Sequence, residues 1–222
     1  LLEGGVPLAL ARGLAVAGLL AVFGGALARV AVLPPALVRL EEGVAALLLV
    51  RWRRLMKAGL AVAVAGLLGW AWLVAGTLAD PPGLAGTMAT LPVLLGETGF
   101  GYALAGQLAG LGLAGVCVAR RCRWLTLGCA ALALELQAGH GHAFAMDPGP
   151  SLLLASDLIH LSAGAAWLGG LPSLLLVVAT APDGALAACR RFSPLGAGCV
   201  LALAVTAGWQ GWVLIGSLPA LI

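Results

Sequence analysis

The stretch "LLLASDLIHLSAGAAWLGGLPSLLLVV", Leu152–Val178, is long and apolar enough to cross a bilayer as a helix, yet it contains an acid and an imidazole. About 20 apolar residues in succession indicate a transmembrane helix. A charged or titratable side chain inside the hydrocarbon layer is costly and usually has a function. The stretch therefore predicts a membrane span that carries chemistry at Asp157 and His160.

The composition of the whole chain agrees with a membrane protein. Of the 222 residues, 62% are hydrophobic and only 9% are charged. A soluble domain has about 25% charged residues, so this chain has too few to cover a water-exposed surface. The 33 glycines suit helices that pack closely in lipid. The net charge of +3 gives no indication of a nucleic-acid partner.

Hydropathy predicts an all-α, polytopic helix bundle that forms a single membrane-embedded domain over residues 1–222. The segment Val44–Val50 is too short to span and is expected to lie at the interface as a separate amphipathic piece. Six spans are predicted, at Leu8–Ala28, Leu55–Ala79, Gly99–Ala119, Leu125–Phe144, Leu152–Val178 and Leu195–Leu218.

The basic residues predict the orientation of these spans. Eleven of the 12 fall in the alternate loops that follow the first, third and fifth spans. Cytoplasmic loops carry an excess of Lys and Arg, so the N-terminus is predicted to lie outside. The segment Gly139–Pro150 would then face the periplasm of a bacterium, and all five cysteines would lie towards the reducing cytosol.

The three histidines are the candidate ligands of a metal ion at the outer side. His140, His142 and His160 lie within 21 positions of one another, and Met146 lies between them. Imidazole and thioether together suit copper, because soft thioether sulfur favours Cu(I). Asp157 is a further possible ligand, and Met88 of another predicted outer loop could join the set.

Spacing along the predicted helices relates other residues to these ligands. Asp157 and His160 are three residues apart, and Trp167 follows His160 by seven, so all three share one helix face. Glu135 and His142 are also seven apart and share a face if the helix continues through Gly139 and Gly141. Glu135 has two alternative interpretations, a site residue or a protonated structural acid.

Three segments resemble the CopD-type copper resistance family of bacterial inner-membrane proteins. They are "GHA" at Gly141–Ala143, "SDLIHLSAGAAWLGGL" at Ser156–Leu171 and "RRFSPLGAGCVLALAVTAG" at Arg190–Gly208. The resemblance is good over about the last 85 residues and weak before Leu91. The positions that match the family pattern are His142, His160, Trp167, Gly169, Gly170, Leu171, Arg191, Phe192 and Ser193.

The resemblance implies a copper-handling protein of the inner membrane that receives copper from a periplasmic carrier and passes it inward. His142 and His160 would be the main ligands, with His140 and Met146 assisting. Asp157 would orient an imidazole, the usual role of a residue behind a ligand, and Trp167 would wall the site. Family members commonly have eight spans, so a chain with six would be either a short version or one that lacks the C-terminal pair.

Two other functions stay open at this point. His142 and His160 could instead hold a b-type haem between two helices in an electron-transfer protein. The histidines could also serve only assembly in an accessory subunit that binds no metal. An enzyme is not expected, because the chain has neither the H-E-x-x-H motif of zinc proteases nor a G-x-S-x-G nucleophile elbow.

Overall fold

The computed structural model describes residues 5–140 and 150–215, and these residues form helices joined by short turns without any β-strand. A π-helical turn, Ala28–Val32, follows the first helix, and a 3-10 turn, Leu136–His140, follows the sixth. The helices are α1 (Gly5–Leu27), α2 (Pro34–Leu37), α3 (Glu42–Leu78), α4 (Leu84–Glu97), α5 (Gly99–Ala119), α6 (Arg123–Glu135), α7 (Pro150–Leu168), α8 (Leu171–Thr180) and α9 (Pro182–Ile215).

The prediction of an all-helical membrane bundle is confirmed. Within the described ranges, five helical segments are long and apolar enough to cross a bilayer: Gly5–Val32, Glu42–Leu78, Gly99–Ala119, Leu152–Thr180 and Pro182–Val213. The sequence predicted a sixth span at Leu125–Phe144. There α6 has 13 residues and the 3-10 turn that follows adds five more, together roughly 30 Å of helix up to His140. The hydrocarbon core is about 30 Å thick, and residues 141–144 lie outside the described part.

Two predicted boundaries differ from the structure. The segment Val44–Val50 is not a separate interfacial piece but the first turns of α3, a continuous helix of 37 residues. At about 1.5 Å per residue α3 is roughly 55 Å long, so it extends beyond the hydrocarbon layer. The predicted loop between Asp80 and Thr98 contains the apolar helix α4. The first difference arises because hydropathy detects a span but not the helix that continues past it, and the second because a 14-residue apolar helix is shorter than the about 20 residues of a span.

Close packing of α1 on α3 forms the centre of the bundle. A Cβ atom on Gly18 would overlap the backbone of Ala63, and one on Gly66 would overlap the backbone of Ala15. Small residues let two backbones approach in this way where lipid supplies no hydrophobic driving force. The buried indole of Trp52 also donates a hydrogen bond of 3.0 Å to the carbonyl of Gly25.

Because spans that are consecutive in the chain run in opposite directions, the residues near their ends lie at two opposite ends of the bundle. We call the end with Arg12, His140 and His160 the histidine end. We call the end with Arg29 and Arg53 the arginine end. Along α1, Arg12 and Arg29 are separated by about 26 Å at a rise of 1.5 Å per residue.

Candidate metal site

His160 is the histidine whose surroundings fit a metal ligand. It projects from α7 towards α9, and its Nδ1 atom lies 2.8 Å from Oγ1 of Thr206. The Thr206 hydroxyl also lies 2.7 Å from the carbonyl oxygen of Ala202 and 3.2 Å from that of Leu203. A hydroxyl has one proton, and the shorter contact, to Ala202, assigns it to that carbonyl, so Thr206 then accepts the N–H of the Nδ1-protonated tautomer of His160. Nε2 of His160 then keeps its lone pair.

The N-terminal half of α7 makes a second polar contact with α9, one turn before His160. The Nε2 amide of Gln210 donates to Oδ1 of Asp157 at 3.1 Å and to Oγ of Ser156 at 3.2 Å. Thr206 and Gln210 are four residues apart, so they share one face of α9. We call the five residues Ser156, Asp157, His160, Thr206 and Gln210 the polar seam. The polar seam holds Asp157, the predicted orienting acid, and His160, the predicted ligand, at fixed positions relative to α9.

Glu135 lies on the other side of α7. One of its carboxylate oxygens, Oε1, accepts a hydrogen bond from the hydroxyl of Ser162. Its Oε2 atom is buried without a hydrogen-bond partner among the described residues. The α-helix ends at Glu135 and the chain tightens into the 3-10 turn. The continuous helix that would align Glu135 with His142 is therefore interrupted.

His140 belongs to a different interface, between the 3-10 turn and α5. Its Nε2 atom lies 3.0 Å from Oε1 of Gln107, a fully buried residue. The Gln107 amide nitrogen donates to the carbonyl of Ala133 at 3.3 Å and to Oε1 of Gln137 at 3.0 Å. Oε1 of Gln107 must then accept, so His140 is protonated at Nε2. Its Nδ1 atom is buried with no partner among the described residues.

Aromatic rings enclose His140 on the side away from Gln107. The rings of Trp70 and Phe100 each lie 4.8 Å from the imidazole, centroid to centroid. The two aromatic rings meet edge-on at 5.1 Å, and the guanidinium carbon of Arg12 lies 5.5 Å from the centre of the Trp70 ring. Arg12 thus packs on the indole of Trp70 in a cation–π contact.

The remaining predicted residues fall in three places. His142 and Met146 lie outside the described residues. Met88 is exposed on α4. Trp167 shares α7 with His160 but lies about 10 Å further along it, at a rise of 1.5 Å per residue. There its indole lines a cavity together with Phe192 and Gly196.

The structure thus brings His160 and Asp157 together on the polar seam, and it places His140 at another interface. Over residues 5–140 and 150–215, no group of three or more His, Cys, Asp and Glu side chains is arranged to hold a metal ion. Neutral imidazole is the form that binds metals, and in that form the hydrogen bonds of the two histidines leave Nε2 of His160 and Nδ1 of His140 without a proton.

Sequence reasoning missed the partners of these residues. Thr206, Gln210, Ser162 and Gln107 each bond a predicted site residue or its neighbour. The sequence does contain one indication of the two partner residues on α9. Thr206 and Gln210 are polar residues four apart in an otherwise apolar span, a spacing that places both on a single face.

Comparison with family models gives one match, to "Copper resistance protein D-like, N-terminal domain", over residues 3–153. Comparison with curated proteins gave no significant match, and neither did comparison with solved structures. The matched range includes His140, His142 and Met146 but ends before Asp157 and His160. The matched range thus lies mainly before Leu91, in the part of the chain where the sequence motifs resemble the CopD-type family only weakly. Because the match covers more than half of the chain, this copper-related membrane protein belongs to the copper resistance protein D-like family.

Proposed function

We propose that the protein binds copper at the histidine end and carries it across the bacterial inner membrane. The observation that carries this proposal is the hydrogen bond from His160 Nδ1 to Thr206. A histidine that ligates a metal almost always donates its other ring N–H to a neighbouring acceptor, which fixes the tautomer and the ring orientation. His160 has this arrangement within a membrane span.

In the proposed site, Nε2 of His160 supplies one ligand and the segment with His142 and Met146 supplies others. We propose that His140 only assists capture, from its separate interface, where its buried Nδ1 atom has no hydrogen-bond partner among the described residues. Nitrogen ligands with a thioether favour Cu(I) over hard cations such as Ca²⁺ and Mg²⁺. Copper is the cargo here, and a periplasmic copper carrier is the proposed donor.

The two carboxylates next to this site have proposed supporting roles. Asp157 accepts from Gln210 and thereby fixes the first turns of α7 against α9. Glu135 lies beside α7 with one oxygen held by Ser162 and the other without a described partner. The spare oxygen of Glu135 can accept one further hydrogen bond, so we propose that it orients a second donor beside α7. We propose transport without catalysis.

The test is metal analysis of protein purified without a polyhistidine tag. Wild-type protein loaded with Cu(I) in anaerobic buffer should retain copper after desalting, and His160→Ala should lose most of it. The matched control is Thr126→Ser, a conservative change at a buried polar residue of the arginine end, which should retain copper as the wild type does. Uptake of copper into proteoliposomes, lost in His160→Ala, would extend the result to transport.

Absorbance of the same samples separates the alternatives. A strong Soret band that disappears in His160→Ala would assign the histidines to a b-type haem and contradict the copper proposal. The third outcome is a purified protein that holds neither copper nor haem and whose abundance in the membrane is unchanged by His160→Ala. This outcome would indicate that the protein is an accessory subunit.

A further inference from the structure

A cavity at the arginine end is lined by four arginines that come from separate parts of the chain. Its volume is about 210 Å³. Arg29 comes from the π-helical turn after α1, Arg53 from α3, Arg121 from the turn after α5 and Arg123 from the start of α6. The fold thus brings four guanidinium groups to one opening.

No carboxylate balances this charge among the residues that line the cavity. Arg29 and Arg53 are half-buried, and none of the four guanidinium groups donates a hydrogen bond to another described side chain or carbonyl. By contrast, the nearby Arg51 donates to the hydroxyl of Thr180 at 3.0 Å. Like charges that share a partly buried cavity repel one another, and a bound anion converts this repulsion into attraction.

We propose that this cavity binds a phosphate group. Guanidinium donates paired, parallel hydrogen bonds that match the geometry of phosphate oxygens. Drug-sized ligands occupy about 300–1,000 Å³, so the smaller volume here suits a compact anion. A copper cation would be repelled by the same four charges, so the proposal is independent of the copper site at the other end of the bundle.

The remaining walls of the cavity fit a phosphate that is part of a lipid. Leu49, Val50 and Val118 form an apolar side next to the arginines. A phospholipid presents a phosphate with acyl chains attached, and basic pockets between membrane helices bind anionic headgroups in this way. Free inorganic phosphate has the same chemistry, so the experiment must distinguish the two sources.

The backbone conformation at Arg121 allows a test substitution that removes one guanidinium group without straining the turn. Its φ of 62° is in the left-handed region, which favours glycine over a residue with a side chain. Arg121→Gly therefore removes one guanidinium and fits the turn at least as well as arginine does. Loss of binding in this variant cannot be attributed to a distorted turn. The matched control is Arg120→Gln, which changes the exposed neighbour that does not line the cavity.

The experiment titrates the purified full chain in neutral detergent, with tryptophan fluorescence as the readout. Trp52 lines the cavity, and the ring of Trp124 lies 6.0 Å from the guanidinium carbon of Arg123. The probes are phosphatidylglycerol, phosphatidylcholine and inorganic phosphate. We expect saturable binding that is about tenfold weaker in Arg121→Gly and weaker still in the double variant Arg29→Gln, Arg53→Gln, whereas Arg120→Gln binds as the wild type does.

The relative binding affinities of the three probes identify the source of the phosphate. Tighter binding of phosphatidylglycerol than of the other two probes, dependent on the arginines, supports a lipid headgroup. Arginine-dependent binding of inorganic phosphate without preference between the lipids supports the free ion. Equal affinities of Arg121→Gly and Arg120→Gln for every probe, or no saturable binding by wild-type protein, would overturn the proposal.

Discussion

The hydroxyl oxygen of Thr206 accepts a hydrogen bond from Nδ1 of His160 at 2.8 Å, so a residue of the last described helix orients a histidine 46 positions earlier. The contact joins α7 to α9 and directs the lone pair of Nε2 away from α9. The polar seam thereby gives the predicted ligand a fixed orientation before any ion arrives.

Replacing Thr206 with Val should weaken copper binding by about 10–100-fold, the usual effect of removing the partner of a ligand. The substitution keeps the shape of the side chain but removes the acceptor for His160 Nδ1. Thr206→Ser keeps a hydroxyl and should restore most of the affinity. Competition with a chromophoric Cu(I) chelator measures both variants. Wild-type affinity in Thr206→Val would show that the tautomer of His160 does not matter for copper.

His142 and His160 should behave as two ligands of one ion. His160→Ala alone should abolish most copper binding, and adding His142→Ala should change little more, because residues that share one interaction have non-additive effects. A double-mutant cycle of copper affinities tests this prediction. Additive losses would place the two histidines at separate sites, and unchanged binding in the double variant would remove both from copper binding.

Gln107→Leu should destabilise the protein by about 1–3 kcal/mol, because it leaves buried polar groups without partners. The amide of Gln107 satisfies both His140 Nε2 and Gln137 Oε1, and its side chain is 0% exposed. Thermal unfolding in detergent provides the measurement. Leu113→Ala, at an exposed position of the same helix, is the control and should change the melting temperature little. Equal melting temperatures for the two variants would contradict this role of the network.

Two glycines of α1 should respond differently to the same substitution. Gly18→Val should destabilise the bundle by about 1–3 kcal/mol or more, because the new side chain overlaps the backbone of Ala63 on α3. Gly13→Val should have little effect, since a Cβ atom there meets no atom within 4 Å. Thermal melting of both variants in one detergent checks the difference. A neutral Gly18→Val would mean that α1 and α3 are not packed in direct backbone contact.

The predicted orientation can be tested with single cysteines in a background where the native cysteines are replaced. Asp80→Cys, in the turn before α4, should react with an impermeant thiol reagent in intact cells. The natively exposed Cys122, restored alone, should react only after lysis. The expectation rests on the concentration of basic residues in alternate loops. The reverse labelling pattern would place the histidine end in the cytosol and the arginine end outside.

The sequence by itself determined that this chain is a helical membrane protein and where its apolar segments lie. Hydropathy is a sum over neighbouring residues, so it is sensitive to spans such as Gly99–Ala119, where prediction and structure coincide. The same property explains its errors. A local sum detected neither the continuation of α3 through residues 44–50 nor the change from α-helix to a 3-10 turn at Leu136.

Only the tertiary structure decided which polar groups meet. Histidines close in sequence suggested one cluster, yet His140 faces Gln107 on α5 and His160 faces Thr206 on α9. The direction of each side chain depends on the rotation of its helix about its axis, and that rotation is set by packing against helices distant in the chain. The four arginines of the cavity come together for the same reason. Each lies in a basic segment visible in the sequence, but antiparallel packing of the spans places them around one opening.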